Sequence, residues 1–374
     1  MMRVVISGGG TGGHIYPALA IAEGIQKKYD DVEIIYVGSE TGPEKELAER
    51  AGLKFQAIPV AALAGKMSFK LIKTAFKNFC GVSASSKLLK SFKPDIVIGT
   101  GGYVCGPVML AATKGKFPTL LHEQNAVMGR ANKMLSDKVD RICLTFNIIS
   151  GDFKEYKKSV ITGLPVREKI LEADKAKGVE FFGLDPEKPV VLITGGSQGA
   201  RHINQVSIDC VKKIIDAGGQ VLHLAGPKLY DETLEMAENI GIKDEPNYKI
   251  ISYLHEMEMA LGAADIIICR SGASFLAEVM AVGRASILIP YPYAVGDHQR
   301  ANATSLVNRK AAAMILDQDL NEESLWAELE PLLTNPEAIS EMSQNCYNMG
   351  RREAVKEIVD QIEVAIETNK KKYM

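Results

Sequence analysis

The sequence predicts an α/β protein built from two tandem Rossmann-like domains that face each other across a cleft. Stretches rich in β-branched residues alternate with helix-like stretches along the whole chain, as in parallel α/β sheets. At 374 residues the chain exceeds one ordinary hydrophobic core, so two domains are expected. A strand, a glycine-rich turn and a helix also recur about one domain apart, which a chance glycine-rich turn would not produce.

The first strand runs into a glycine-rich turn. Residues 3–6 form a short strand-like run, and helical spacing begins at Ile15. Glycine permits positive φ and close approach of the backbone to a ligand, while free N–H groups at a helix start attract an anion. Gly8, Gly10 and Gly13 satisfy G-x-G-x-x-G, but turns that are glycine-rich for packing alone do so too. From this turn alone, a phosphate-binding loop and a structural turn remain equal alternatives.

A basic segment follows the second strand (residues 32–37) and a short helix (residues 43–51). Residues 64–93 contain seven lysines and no acidic residue, interleaved with aromatic and aliphatic side chains. Such a segment can lie on an anionic membrane, where each lysine adds about 1 kcal/mol. A helix with a solvated basic face is the alternative.

Polar residues cluster where the next two strands end. The strand at 95–98 is followed by a glycine-rich loop, and the strand at 118–122 ends in Glu123, Gln124 and Asn125. Ligands of open α/β sheets bind at the carboxyl ends of the strands. These residues therefore favour a functional site over a purely structural turn.

A Gly/Pro break near residue 165 marks the domain boundary. Beyond it, the pattern of strand, glycine turn and helix begins again at residue 189. We expect domains at residues 1–165 and 166–345. A final helix within residues 346–374 carries an apolar stripe that needs a surface to cover, and we expect it to return toward the first domain.

The composition excludes several classes of protein. A net charge of −2 argues against wholesale nucleic-acid binding. The six cysteines are scattered without a C-x-x-C pair, which indicates core residues in a reducing cytoplasm instead of disulfides or a zinc site. We expect no secretory signal, and no apolar run reaches the roughly 20 residues of a membrane span.

Neither glycine loop is a Walker P-loop, because no Lys-Ser or Lys-Thr follows its last glycine. ATP or GTP hydrolysis is therefore not expected. A dehydrogenase stays open, since Glu40 lies where an NAD ribose requires a carboxylate, but two similar loops better fit a reaction that joins two phosphate-bearing molecules. Asp317 and Asp319 resemble a metal-binding D-x-D motif, yet they lead into a new helix and are interpreted as capping.

Three further features suggest roles in substrate binding or proton transfer. Glu278, in the first turns of a helix, can bind two vicinal ribose hydroxyls, or it can simply complement the helix dipole. The polar group around Gln299 and Asn302 can serve the hydroxyls of a sugar, with helix capping as the alternative. His14 lies at the tip of the first glycine loop, where the helix dipole favours the neutral imidazole that accepts a proton from an attacking hydroxyl. A structural histidine is the alternative there.

Together these motifs resemble the MurG family of peptidoglycan glycosyltransferases. They occur in the family's order over nearly the whole chain, so the set is far more specific than any one motif. The matching segments are residues 9–14 (GGTGGH), 99–103 (GTGGY), 122–125 (HEQN), 195–201 (GGSQGAR) and 270–273 (RSGA), with Glu278.

The resemblance implies a GT-B glycosyltransferase fold and a hexosyltransferase activity. N-acetylglucosamine would pass, with inversion, from UDP-N-acetylglucosamine to the muramyl 4-hydroxyl of undecaprenyl-pyrophosphoryl-MurNAc-pentapeptide (lipid I). The product would be lipid II, for peptidoglycan synthesis and hence cell wall biogenesis, cell shape and cell division. The first domain would then bind the acceptor on the membrane side, and the second would bind the UDP-sugar. A UDP-GlcNAc epimerase or a non-catalytic nucleotide-sugar-binding protein remains the alternative.

The expected site residues fall into three groups. His14 is expected to be the general base, with Glu123 as the next candidate. The resemblance implies UDP-GlcNAc contacts at Thr11, Gly12, Gly13, Asn125, Arg167, Ser197, Leu254, Ala273, Ser274, Phe275, Leu276, Ala277, Glu278 and Gln299. Helix N-termini and an arginine in this set would stabilise the departing UDP in place of a metal ion. Because the acceptor's isoprenoid chain stays in the bilayer, we expect peripheral attachment to the cytoplasmic side of the anionic cell membrane through Lys70, Lys73, Phe76, Lys77 and Phe79.

Overall fold

A computed structural model describes residues 1–62, 69–148 and 157–373. In this part of the chain the strands form two parallel sheets, and the residues divide into two compact units. The first unit comprises Met1–Pro165 and Glu353–Met374, and the second comprises Val166–Arg352. The chain thus returns to the first unit at Glu353 and not at residue 346, because the helix that contains the buried Cys346 continues to Met349 within the second unit.

The first unit is a doubly wound sheet. Its strands are β1 (Met2–Gly8), β2 (Val32–Ser39), β3 (Lys54–Ile58), β4 (Ile96–Gly101), β5 (Thr119–Glu123), β6 (Arg141–Leu144) and β7 (Ser159–Ile161). Its first helices are α1 (Gly12–Lys28), α2 (Glu44–Arg50), α3 (Phe69–Phe92), α4 (Gly102–Lys114) and α5 (Arg130–Leu135). Within the described residues the strand order is β3-β2-β1-β4-β5-β6-β7, and every pairing is parallel.

The order of the strands places the first two glycine loops side by side. The central strands β4 and β5 are buried along their whole length, as expected for a parallel sheet covered by helices on both faces. The chain winds outward from β1 through β2 and β3, then resumes at β4 on the other side of β1. The carboxyl ends of β1 and β4 therefore flank the point where the strand order reverses, which is where such sheets bind ligands.

The second unit repeats this design. Its strands are β8 (Val190–Thr194), β9 (Gln220–Leu224), β10 (Tyr248–Ile251), β11 (Ile266–Cys269), β12 (Ala285–Leu288) and β13 (Ala313–Met314). Its helices are α6 (Glu168–Leu171), α7 (Lys175–Phe182), α8 (Arg201–Asp216), α9 (Tyr230–Asn239), α10 (Met257–Ala263), α11 (Ala273–Val282), α12 (His298–Val307), α13 (Glu322–Thr334) and α14 (Pro336–Met349). Among the described residues the order is β10-β9-β8-β11-β12-β13, so β8 and β11 flank the reversal.

The C-terminal helix α15 (Ala354–Tyr373) completes the first unit. Ile358, Val359 and Ile362 are buried in the same core as residues of β1 and α1, which accounts for the apolar stripe in the sequence. Near its end, Asn369 Nδ2 donates to the buried Asp140 Oδ2 at 3.0 Å. The helix is therefore fixed by both apolar packing and a buried hydrogen bond.

Candidate active site

The first glycine loop packs directly against the loop between β4 and α4. Thr100 Oγ1 donates a hydrogen bond to the His14 carbonyl at 2.7 Å. A Cβ atom on Gly8 would lie 1.9 Å from Thr100 Oγ1, and one on Gly102 would lie 2.0 Å from the Gly9 carbonyl oxygen. Glycine is needed at these positions because the two loops approach too closely for any side chain. Two motifs that are far apart in sequence thus form one surface.

Glu44 contacts the first glycine loop from α2. Its carboxylate is fully buried, and Oε1 accepts from the Gly10 N–H at 2.7 Å while Oε2 accepts from Ser39 Oγ at 2.8 Å. The Gly10 N–H therefore already donates its hydrogen bond to a side chain of the protein itself. The first hydrogen bonds of α1 run from the His14 and Ile15 N–H groups to the Thr11 carbonyl, so the preceding N–H groups of Gly12 and Gly13 are the ones that can face a ligand phosphate. Sequence reasoning missed Glu44 because it reads as an ordinary acidic residue in the first turn of a short helix.

His14 is half-buried at the start of α1 and faces two oxygen atoms. Its Nδ1 atom lies 3.0 Å from the Thr100 carbonyl oxygen and 3.0 Å from Gln124 Oε1. A Cβ atom on Gly101 would lie 3.0 Å from the same nitrogen, so the ring packs on the glycine backbone of the neighbouring loop. The structure thus joins three of the motifs found in sequence, at the carboxyl ends of β1, β4 and β5.

Glu123, the second candidate for the base, has both carboxylate oxygens engaged. Oε1 accepts from the Asn125 N–H at 3.0 Å, while Oε2 accepts from the Gly129 N–H and from Asn132 Nδ2, each at 2.9 Å. The side chain is 1% exposed. This geometry holds the turn after β5, where Asn125 lies, and it leaves the carboxylate poorly placed to take a proton from a substrate.

The second glycine loop lies between β8 and α8. A Cβ atom on Gly195 would lie 2.1 Å from the Ala200 nitrogen, and one on Gly199 would lie 2.2 Å from the Ala225 carbonyl oxygen. Ser197, at the tip of the loop, is exposed. The loop is thus held close to its own helix and to the end of β9, with its serine facing solvent.

A three-residue loop separates the strand β11 from the helix α11, and Gly272 is the N-cap of that helix. The N–H groups of its first turn have no acceptor within the helix, so this terminus can bind an anion. Ser274 is exposed and Phe275 half-buried, but Leu276 is fully buried and Ala277 is 5% exposed. The side chains of Leu276 and Ala277 are therefore packed in the core, whereas the side chain of Ser274 lies on the solvent side of the helix.

Glu278 and Arg167 form an ion pair within the second unit. Arg167 Nε lies 2.7 Å from Glu278 Oε1, and the two side chains are 55% and 13% exposed, respectively. Burial raises the pKa of the Glu278 carboxyl, and the Arg167 guanidinium opposes that shift. Two residues that the resemblance assigned to one ligand are thus in contact.

Gln299 and Asn302 connect α12 to the loop after β11. Ser271 Oγ donates to the Gln299 carbonyl at 2.8 Å, and Asn302 Nδ2 donates to the Ser271 carbonyl at 3.2 Å. Gln299 Oε1 accepts from the Tyr291 N–H at 2.9 Å. Asn302 therefore has a structural role.

Leu254 is half-buried in the loop after β10, two strands away from β8.

Asp317 is an ion-pair partner and does not cap a helix. Its carboxylate pairs with the Arg270 guanidinium and lies 3.3 Å from His202 Nδ1. The cap of α13 is instead Asn321, which forms a reciprocal capping box with Ser324. The capping interpretation is therefore wrong for Asp317, which joins the start of α8 to the loop before α11.

The helix α3 presents an exposed aromatic pair. Phe76 is 69% exposed and Phe79 is 71% exposed, three residues apart on the helix.

Lys77 Nζ lies 3.3 Å from Glu40 Oε2, so the carboxylate that suggested an NAD ribose site is already paired with a lysine. The side chains of Lys70 and Lys73 lie outside the described residues. Across the helices that the structure describes, we find none with the length and hydropathy of a bilayer span.

Comparisons with known proteins agree along almost the whole chain. The models of the glycosyltransferase family 28 N-terminal and C-terminal domains match residues 4–144 and 190–362. A UDP-N-acetylglucosamine–N-acetylmuramyl-(pentapeptide) pyrophosphoryl-undecaprenol N-acetylglucosamine transferase from Caldanaerobacter subterraneus subsp. tengcongensis is 45% identical over 353 residues, which cover 94% of this chain and 97% of that protein.

Solved structures support the same assignment. The crystal structure of MurG from Acinetobacter baumannii matches with a TM-score of 0.80 at 30% identity, covering 97% of this chain and 99% of that one. A UDP-GlcNAc 2-epimerase from Neisseria meningitidis matches with a TM-score of 0.67 at 14% identity, covering 97% of this chain and 100% of that one, which shows the fold alone. The predicted GT-B fold and the resemblance in motifs are confirmed. The chain therefore belongs to glycosyltransferase family 28 and, within it, to the MurG family.

Proposed function

We propose that the protein transfers N-acetylglucosamine from UDP-N-acetylglucosamine to the muramyl 4-hydroxyl of lipid I, with inversion, and so forms lipid II for peptidoglycan synthesis. The observation that carries the proposal is the 45% identity, over 94% of the chain, to a transferase named for these substrates. A glycine loop at the strand reversal of each sheet suits a reaction between two phosphate-bearing molecules.

The second unit is proposed to bind the UDP-sugar. Ser197 and the start of α11 at Ala273 would face its phosphates, because helix N-termini and loop N–H groups bind anions. Glu278 would accept hydrogen bonds from the ribose hydroxyls through the oxygen that Arg167 does not hold. Arg167 is half-exposed and has further N–H donors for the pyrophosphate. Gln299, Leu254 and the solvent-facing part of α11 complete the proposed donor contacts, together with residues 11–13 and Asn125 from the first unit.

A single displacement accounts for the chemistry. The 4-hydroxyl oxygen forms a bond to the anomeric carbon as the bond from that carbon to the UDP oxygen breaks, and UDP leaves with the electron pair. His14 takes the hydroxyl proton, and general base catalysis of this kind accelerates such a step by about 10²- to 10⁴-fold. The N–H groups and arginine of the donor site would stabilise the charge on the departing UDP. Glu123 is proposed to hold the turn that positions Asn125, because both its oxygens already accept hydrogen bonds.

The helix α3 is proposed to bind an anionic membrane surface at the cytoplasmic side. Phe76 and Phe79 are exposed enough to insert between lipid headgroups. The surrounding lysines of residues 69–93 would add electrostatic attraction, about 1 kcal/mol each near the surface. A peripheral position of this kind would bring the protein to an acceptor whose isoprenoid chain remains in the bilayer.

An assay of UDP release tests the proposed function. Purified protein is incubated with UDP-GlcNAc alone, with a lipid I analogue alone, and with both. We expect release of UDP only when both are present. Acceptor-independent conversion of UDP-GlcNAc would identify an epimerase instead, and tight UDP-GlcNAc binding without turnover would identify a binding protein. A fluorescence increase with NADH, in place of UDP binding, would favour a dehydrogenase.

A further inference from the structure

A chain of hydrogen bonds connects His14 to the interior of the first unit. His122 Nε2 lies 2.8 Å from the Gly163 carbonyl oxygen, and His122 Nδ1 lies 3.0 Å from Gln124 Nε2. Gln124 Oε1 lies 3.0 Å from His14 Nδ1. Gln124 Nε2 also donates to the Thr100 carbonyl at 2.8 Å. His122, Gln124 and Thr100 are between 0% and 2% exposed, so water does not compete for these groups.

The chemistry of the partners fixes the direction of each bond in this chain. A carbonyl oxygen only accepts, so His122 Nε2 must carry the proton that faces Gly163. Burial lowers the pKa of His122 to about 4, so its ring is neutral near pH 7 and Nδ1 can only accept. Nδ1 therefore accepts from the Gln124 amide nitrogen. With its nitrogen held by His122 and Thr100, Gln124 presents its oxygen to His14.

We propose that Gln124 and His122 are positioning residues that hold His14 with a proton on Nδ1 and a lone pair on Nε2. His14 Nδ1 faces two oxygen acceptors, Gln124 Oε1 and the Thr100 carbonyl, and must donate to them. In a neutral imidazole the basic nitrogen is then Nε2. The opposite tautomer would present an N–H in that place and could not accept a proton from a hydroxyl.

The backbone beside His14 supports the same orientation. Cβ atoms on Gly101 and Gly102 would lie 3.0 Å and 3.2 Å from atoms of the His14 ring, so the ring rests on both glycines. This packing restricts rotation of the ring and keeps Nδ1 toward the hydrogen-bond chain. The inference rests on the proposed role of His14 as base, and it adds the residues that fix the tautomer and orientation of its ring.

Nitrogen-15 NMR of the full-length protein, labelled in histidine, tests the tautomer without requiring catalysis. We expect the shift of a protonated nitrogen for Nδ1 of His14 and that of a bare nitrogen for Nε2. The signals are assigned by their loss in His14→Gln. A wild-type spectrum with a protonated Nε2 and a bare Nδ1 for His14 would overturn the inference.

Variants of Gln124 test its positioning role. Gln124→Met removes both ends of the amide, so we expect a mixture of tautomers and a fall in kcat of about tenfold or more, as for other groups that orient a functional histidine. KM for UDP-GlcNAc should not change. Gln124→Glu keeps an acceptor oxygen toward His14 but loses the N–H donors to His122 and Thr100, so it should retain the Nδ1-protonated signature and recover only part of kcat. Gln26→Met, exposed on α1, is the matched control. Wild-type tautomer and kcat in Gln124→Met would contradict the proposal.

Two readouts separate the inference from the proposed base. If His14→Gln keeps wild-type turnover, His14 is not the base, and the catalytic purpose of the hydrogen-bond chain fails with it. A different outcome is that His14→Gln abolishes turnover while the wild-type His14 is protonated on Nε2 instead of Nδ1. In that case the role of His14 as base is supported, and the proposed positioning roles of Gln124 and His122 are refuted.

Discussion

Replacement of Glu44 by alanine should loosen the first glycine loop and destabilise the first unit. The change removes hydrogen bonds from the Gly10 N–H and from Ser39 Oγ to a fully buried carboxylate. Hydrogen bonds to charged groups contribute about 1.5–3 kcal/mol each, but removal of the carboxylate also removes the cost of burying its charge. We therefore expect a net loss of about 2–3 kcal/mol in the free energy of unfolding. For a unit of this size, that corresponds to a fall in Tm of about 4–12 °C.

Two further variants isolate the role of these hydrogen bonds. In Glu44→Gln the side-chain oxygen still accepts from Gly10, and the amide nitrogen can donate to Ser39 Oγ. We expect Glu44→Gln to lose less than half as much stability as Glu44→Ala. Glu46 lies on the same helix, is exposed and pairs with Arg50, so Glu46→Gln should change stability by at most about 0.5 kcal/mol.

The assay has to resolve the two units. The single tryptophan, Trp326, lies in the second unit, so its fluorescence reports that unit while far-UV circular dichroism reports both. Urea unfolding followed by both signals should show the loss in the circular dichroism transition alone. Hydrogen exchange should also accelerate in peptides that contain Gly10. An alanine variant with wild-type stability, exchange and turnover would refute the view that Glu44 holds this loop.

Three other predictions follow from the same structure. His14→Ala should lower kcat by about 10²-fold or more while UDP affinity stays the same; near-normal turnover would place the base elsewhere. Because burial lowers the pKa of His122 to about 4, protons bind the unfolded chain first, and stability should fall as the pH drops from about 6.5 towards 4. His122 should account for about 2 kcal/mol of the loss at pH 5, and this share should disappear in His122→Gln, as measured by urea unfolding; an unchanged loss would contradict the prediction. Combined Lys70→Glu, Lys73→Glu and Lys77→Glu should abolish flotation with anionic liposomes; undiminished binding would exclude this surface.

The sequence predicts the fold well because parallel sheets leave a strong local signal. Buried strands such as β4 and β8 are rich in β-branched residues, and glycines occur where a loop must approach its neighbour. The recurrence of this unit in the second half indicates two Rossmann-like domains without any structural information. The signal of the last helix is also local: the helical spacing of Ile358 and Ile362 indicates an apolar stripe, which packs into the core of the first unit.

Contacts between distant residues were not predictable from the sequence. In the sequence, Glu44 is simply an acidic residue at a favourable position in the first turn of a helix. Only the folded chain brings its carboxylate into hydrogen-bond contact with the Gly10 N–H, 34 residues away. Asp317 likewise reads as part of a capping segment until Arg270 is seen beside it. A motif also cannot show which of its side chains are exposed, and Leu276, one of the expected contact residues, proves to be fully buried.

The product of the reaction gives the most direct test of the proposed function. Purified protein is incubated with UDP-GlcNAc and a lipid I analogue, and the acceptor is analysed by mass spectrometry and proton NMR. We predict an acceptor that gains one N-acetylhexosamine, joined to the muramyl 4-oxygen with inverted, β-anomeric configuration. An unmodified acceptor, or a product with retained configuration, would contradict a single displacement by this protein.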